Sequence, residues 1–265
     1  MKISKIRSVR EFTKLTWKEF SGERKNVLLL IFGIIYVAFY QTRQLSENRK
    51  EIASDAITFS ASVTETLQVF VLNHFPNTFW IFDWIVSLLY VFAFTFVLVT
   101  LVLTIITTGR EAWRYGIALL ACSFLQISLQ ILVPVLVPIR WNIDIRPIRK
   151  EIWPWSEKLI GIKFGGIPSG HFGYSIFGVL LAKQINYRRM FVFYLINTIL
   201  FPPIVLYLGE HYVVDLVASL ILFPTLYYVV LKMITHYIGD TKHPNVFELA
   251  QKPPNTEHNS PRDVY

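Results

Sequence analysis

The sequence predicts an all-α, polytopic membrane protein: a bundle of six transmembrane helices preceded by an N-terminal helix that lies in the membrane interface. Three observations carry that class. Of the 265 residues, 53% are hydrophobic and only 17% are charged, which is too apolar for an ordinary soluble domain. Several apolar runs are long enough to cross a hydrocarbon core of roughly 30 Å. The formal charge of +8 is gathered in short stretches beside those runs, the pattern expected of anionic headgroups and the positive-inside rule, and not of a nucleic-acid partner. A chain of this length holds one membrane domain. Its organisation reads as a basic amphipathic cytoplasmic arm at 1–25, a six-helix membrane domain at 26–238 and a polar tail at 239–265.

In the arm, Ile3, Ile6, Val9, Phe12, Leu15 and Phe20 recur at near-helical spacing, and Lys2, Lys5, Arg7, Arg10, Lys14 and Lys18 occupy the other face. An interfacial helix needs that stripe, whereas a solvated basic tail does not. The first apolar run starts only near Val27, so the N-terminus is not read as a cleavable signal. Six spans follow, at about 27–40, 80–106, 115–137, 172–182, 191–208 and 212–234. The first and fourth are short for a free span, and the fourth is expected to run from near Ser169 to Gln184. Between the first two spans, Ile52, Ala56, Ile57, Val63, Leu67 and Phe70 suggest an amphipathic helix on the outer surface. After about Gly239 the chain turns polar, with Lys252-Pro253-Pro254-Asn255, and reads as a disordered cytoplasmic tail. Cys122, the single cysteine, sits inside an apolar run and supports neither an intramolecular disulfide nor a thiolate metal cluster.

Lysine and arginine near the span ends set the orientation. The arm, the Arg110/Arg114 connection, the Lys183/Arg188/Arg189 connection and the end after Lys232 share one side, which is expected to be the cytoplasm. Two polar stretches then fall together on the opposite, extracytoplasmic or lumenal, face. One holds Pro168-Ser169-Gly170-His171 and the other His211-Tyr212-Val213-Val214-Asp215. The loop before them, at 138–166, carries Arg140, Arg146, Arg149, Lys150, Lys158 and Lys163 against Asp144, Glu151 and Glu157. Arginines there suit phosphate, which their planar fork grips in bidentate fashion; a basic loop facing headgroups is the plainer explanation for the lysines.

Spacing supplies the chemistry. His211 and Asp215 stand four apart at a helix start, so they share a face and the carboxylate can fix the imidazole tautomer, leaving the other nitrogen as base or nucleophile. Ser169 is a candidate N-cap, and the backbone around Gly165, Gly166 and Gly170 is free to approach an anion, with the helix start supplying amide donors. His171 lies in the first turn of that helix and can protonate a leaving oxygen. Either histidine alone would be an ordinary capping or hydrogen-bonding residue. Their occurrence once each, in order, at two span starts on one face is what points to chemistry, and to no metal or cofactor.

Pro168-Ser169-Gly170-His171, followed some forty residues later by His211-x-x-x-Asp215, resembles the type-2 phosphatidate phosphatase superfamily over about 80–234. The resemblance implies a six-helix core and a phosphohistidine mechanism, with His211 as nucleophile, Asp215 as its orienting partner, His171 as acid and then base, and Ser169 with Gly170 as phosphate donors. It also implies phosphate-gripping cations, here Arg146 of Arg146-Pro147 with Arg140 as the nearest match to the pattern's lysine. The chain departs from the pattern at Ile204 and Val205, where the family places Ser-Arg. In that respect, and in Glu210-His211-Tyr212-Val213-Val214-Asp215, it is similar to the inositol phosphorylceramide synthase and sphingomyelin synthase branch, which passes the phosphohistidine's cargo to an alcohol instead of water. The expected activity is a metal-independent lipid phosphatase or phosphotransferase whose partners are a lipid phosphate and the surrounding lipids. A transporter and a catalytically silent scaffold are the competing classes.

Overall fold

A computed structural model describes residues 9–29, 31–33, 55–132, 145–156 and 167–238. Among these the chain is helical, with no strand. The helices are α1 (Val9–Ser21), α2 (Asp55–His74), α3 (Phe79–Ile106), α4 (Ala112–Leu132), α5 (Ile148–Ile152), α6 (Gly170–Gln184), α7 (Arg188–Tyr207) and α8 (Val213–Ile238), and residues 24–29 and 31–33 are also helical. The expected tail, most of the first span, the end of the third and the Arg140 segment lie outside the described residues.

Among the described residues, four helical stretches are long and apolar enough to cross a membrane: Phe79–Ile106, Gly109–Gln130, Arg188–Tyr207 and Val213–Ile238. Their outward faces are apolar. Ile85, Leu88, Phe92 and Phe96 on α3, Ile196 and Ile199 on α7, and Leu220 and Ile221 on α8 are all exposed, a surface suited to hydrocarbon chains and not to water. The short α6, about 22 Å long at 1.5 Å per residue, is the central element. It packs against α7, α8, α3 and α4 and is buried continuously from Gly170 to Gly178. On its α8 side it meets Phe223 closely: a Cβ on Gly173 would lie 2.1 Å from that ring, which favours glycine there.

Helix α2 covers part of the amphipathic segment expected before the second span, and the face it buries carries polar side chains. The expected stripe of Val63, Leu67 and Phe70 is at best half-buried, while Thr64, Gln68 and Val71 are buried where α2 meets α7 and α8. The reason is hydrogen bonding. The Gln68 carboxamide donates to the Arg146 and Tyr207 carbonyls at 3.2 and 2.9 Å and accepts from the Arg146 amide at 2.9 Å, so a polar side chain is satisfied inside the bundle.

The two ends of the bundle differ in character. At one end α1 docks on the turn at Gly109–Glu111, with Arg110 paired to Glu19 at 2.9 Å and Asn26 Nδ2 donating to the Gly109 carbonyl at 3.1 Å. Phe20 of α1 and Ile185, just after α6, share one buried cluster. The arm and the two basic connections assigned to one side by charge thus gather at one end of the fold. The starts of α3, α6 and α8, the end of α7 and all of α5 gather at the other.

Candidate active site

Both sequence motifs meet at that second end. Ser169 precedes α6 in extended conformation, and its amide donates to the Asp215 carbonyl at 3.2 Å. One hydroxyl, that of Ser219, reaches both the Ser169 carbonyl at 2.9 Å and the Asp215 carbonyl at 2.7 Å. These bonds lash the start of α6 to the first turns of α8, which is how residues some forty positions apart come to share a pocket.

Within it, His211 Nδ1 stands 3.1 Å from Asp215 Oδ2, and the same carboxylate oxygen accepts the Tyr212 amide at 2.8 Å. Asp215 is fully buried. With Nδ1 donating to the carboxylate, Nε2 is left as the acceptor, and the Ser169 hydroxyl lies 3.2 Å from it. Ser169 therefore spends its hydroxyl on the histidine and makes no side-chain cap to its own helix. The first amides of an α-helix have no carbonyl of their own helix to bond, so the start of α6 offers donors suited to an anion.

His171 occupies the first turn of α6 as expected. Its ring stacks on Phe201 at 5.6 Å, leans on Tyr90 at 5.3 Å and faces His211 at 6.1 Å between centroids. Centroids at that spacing and edge-on put the two imidazoles in direct ring contact, so both can reach one group bound beside them. His171, His211, Asp215, Ser169 and Gly170 are thus one constellation.

The cations divide differently. Arg146 is engaged with carboxylates, Nη1 3.2 Å from Asp83 and Nη2 2.8 Å from Glu151, and its guanidinium is 5.5 Å from the Phe79 ring. Tyr207 donates to Asp83 from the other side at 2.5 Å. Arg140 lies outside the described residues, as do Gly165 and Gly166. Arg149 is one of the loop arginines that the sequence marks as suited to phosphate without singling it out. It is 2% exposed, with Nε 2.5 Å from Glu210 Oε1, Nη1 2.8 Å from the Ser156 hydroxyl and the guanidinium 5.7 Å from Tyr90, the ring that touches His171. Glu210 immediately precedes His211, and its amide donates to the Val205 carbonyl at 3.0 Å. The cue was in the sequence: a lone carboxylate beside the second motif and a surplus of cations in the preceding loop. Among the described residues no group of three or more His, Cys, Asp or Glu is arranged to hold a metal ion.

A family model described as the PAP2 superfamily matches residues 62–229, more than half of the chain. The chain belongs to the PAP2 superfamily. The PAP2 match begins inside α2 and ends inside α8, earlier at its start than the two motifs alone suggested, so it takes in Gln68 and the helix that Gln68 anchors. It covers every site residue described above. Membership makes phosphatase or phosphotransferase chemistry the expected activity of this PAP2 protein. No curated protein and no solved structure matches the chain.

Proposed function

We propose that the chain is a membrane-embedded lipid phosphoesterase or phosphotransferase that works through a phosphohistidine on His211. The observation that supports it most is the one cluster in which Asp215, 3.1 Å away, orients His211 while the His171 ring stands edge-on to it with centroids 6.1 Å apart. The substrate phosphate sits at the start of α6, against the Gly170 and His171 amides and the Ser169 hydroxyl, which turns from His211 to the phosphoryl oxygens. Arg149, held by Glu210, supplies the cation, with Arg146 and Arg140 as the further cations that the sequence pattern offers. His211 Nε2 attacks phosphorus in line, the phosphorus–oxygen bond to the leaving alcohol breaks, and His171 delivers its proton to that oxygen. In the second half, neutral His171 takes a proton from water or an alcohol. The new oxygen displaces His211, and His171 is protonated again for the next turnover. The reaction needs no metal or cofactor in this scheme. The site faces the extracytoplasmic or lumenal side, with both termini in the cytoplasm.

Transfer to an alcohol, as in the inositol phosphorylceramide synthase and sphingomyelin synthase branch, is the second reading. It is favoured by Val205, a fully buried apolar residue at the position where the phosphatase pattern carries arginine. Purified protein in vesicles containing phosphatidate, a polyprenyl diphosphate, or phosphatidylinositol with ceramide tests both. Phosphate release identifies a hydrolase and a labelled headgroup on a second lipid identifies a transferase. No turnover of any of them, with His211→Ala indistinguishable from wild type, returns the chain to a scaffold or transporter.

A further inference from the structure

One polar side chain beside this pocket has no task in the scheme above. Helix α4 turns Ser123, Gln126 and Gln130 toward the start of α6, and all three are buried, Gln126 to 7% exposure. Two of them are engaged with protein. Ser123 accepts the Tyr174 hydroxyl at 3.0 Å, and Gln130 Nε2 donates to the Pro168 carbonyl at 3.3 Å. Gln126, between them, lays its carboxamide on the bare face of Gly170: a Cβ there would lie 2.3 Å from Nε2 and 3.1 Å from Oε1. Among the described residues Gln126 Oε1 has no hydrogen-bond partner. A buried acceptor left unpaired costs about 1–3 kcal/mol, and native structures keep few of them.

The carboxamide presents one donor end and one acceptor end at the mouth of an anion-binding helix start. Phosphoryl oxygens match the Nε2 donor. Ionised phosphoryl oxygens do not match Oε1, which needs a hydrogen to accept, and an alcohol hydroxyl next to the phosphoester supplies one. We infer that Gln126 is a specificity-determining residue that pairs, beside the phosphoryl group at Gly170, with a hydroxyl of the substrate alcohol or of the alcohol that accepts the group. This deepens the proposed reaction and rests on it. The substrate class is a lipid phosphoester with a free hydroxyl near phosphorus, or one whose group passes to a polyol. Sites built to bond a hydroxyl discriminate strongly against analogues that lack it.

The test compares lysophosphatidate with its analogue lacking the glycerol hydroxyl, in phosphatidylcholine vesicles, for wild type, Gln126→Met and Gln126→Glu, with thermal unfolding to confirm folding. Wild type should favour the hydroxylated compound by about tenfold in kcat/KM. Gln126→Met should collapse that ratio to about one, and Gln126→Glu, which keeps an acceptor and loses the donor, should preserve it while raising KM. In a second arm glycerol is added to the phosphoenzyme. If the hydroxyl comes from the acceptor, Gln126→Met shifts partitioning between glycerol and water by a similar factor and leaves the donor ratio alone. A folded Gln126→Met protein with both ratios as in wild type overturns the inference while the reaction stands. Failure of wild type to cleave either compound, with no phosphate trapped on His211, removes the reaction and the inference with it.

Discussion

Arg149 and Glu210 permit an experiment that separates holding the fold from holding the phosphate. Both are almost fully buried, 2% and 6% exposed by side chain, and 2.5 Å apart. Truncating either one strands the other charge in the bundle, at about 3–5 kcal/mol. Arg149→Met and Glu210→Met should therefore each lower the thermal midpoint markedly. Replacing a buried pair by apolar residues of similar volume is often neutral or stabilising, so the double variant Arg149→Met/Glu210→Met should regain most of the lost stability. Activity should not return with it. A charge-assisted hydrogen bond to phosphate contributes about 1.5–3 kcal/mol, and each 1.36 kcal/mol is a factor of ten, so the double variant should lose roughly 10- to 150-fold in kcat/KM. Melting in vesicles, followed by intrinsic fluorescence, and initial rates on the same preparations provide the two readouts. A double variant that is as stable as wild type and as fast would refute the role given to Arg149.

Asp215→Asn should keep the fold and lower kcat by about 10²–10³-fold. A cationic phosphoimidazole loses a countercharge worth about 4 kcal/mol at 4 Å and an effective dielectric of 20; a loss below tenfold in initial rates would contradict the orienting role. Arg146→Ala should destabilise by unpairing Asp83, which is 3% exposed by side chain, yet slow turnover less than loss of the Arg149 pair. A rise in KM equal to that of the double variant would instead assign the phosphate clamp to Arg146. Gly173→Ala forces a methyl group into the Phe223 ring and should destabilise by about 1–3 kcal/mol, seen as a lower melting midpoint; an unchanged midpoint would contradict the close α6–α8 packing.

What the sequence disclosed was governed by how local each signal is. The His211/Asp215 pair and the start of α6 at Gly170 depend on spacing within one turn of helix, and both stand in the structure where spacing put them. The grouping of α1 with the Gly109–Glu111 turn was legible too, because basic residues mark span ends whatever the packing. The buried face of α2 was not: Gln68 reads as polar until the Tyr207 and Arg146 carbonyls that satisfy it are brought from 139 and 78 positions away. Arg149 could not be singled out from the other loop arginines for the same reason, since its carboxylate partner lies 61 positions along the chain. Gln126 needed the bare face of Gly170 to become conspicuous.

The account's central claim is a covalent bond between phosphorus and His211, and its most direct measurement is trapping of ³²P from a labelled lipid phosphate by an alkaline detergent quench, followed by peptide mapping at alkaline pH. The expected result is one acid-labile, base-stable label on the peptide containing His211. It should be absent in His211→Ala, and in His171→Ala it should form only slowly, because the leaving oxygen lacks its proton donor. Full turnover by His211→Ala, or a label mapping to another residue, would contradict the account.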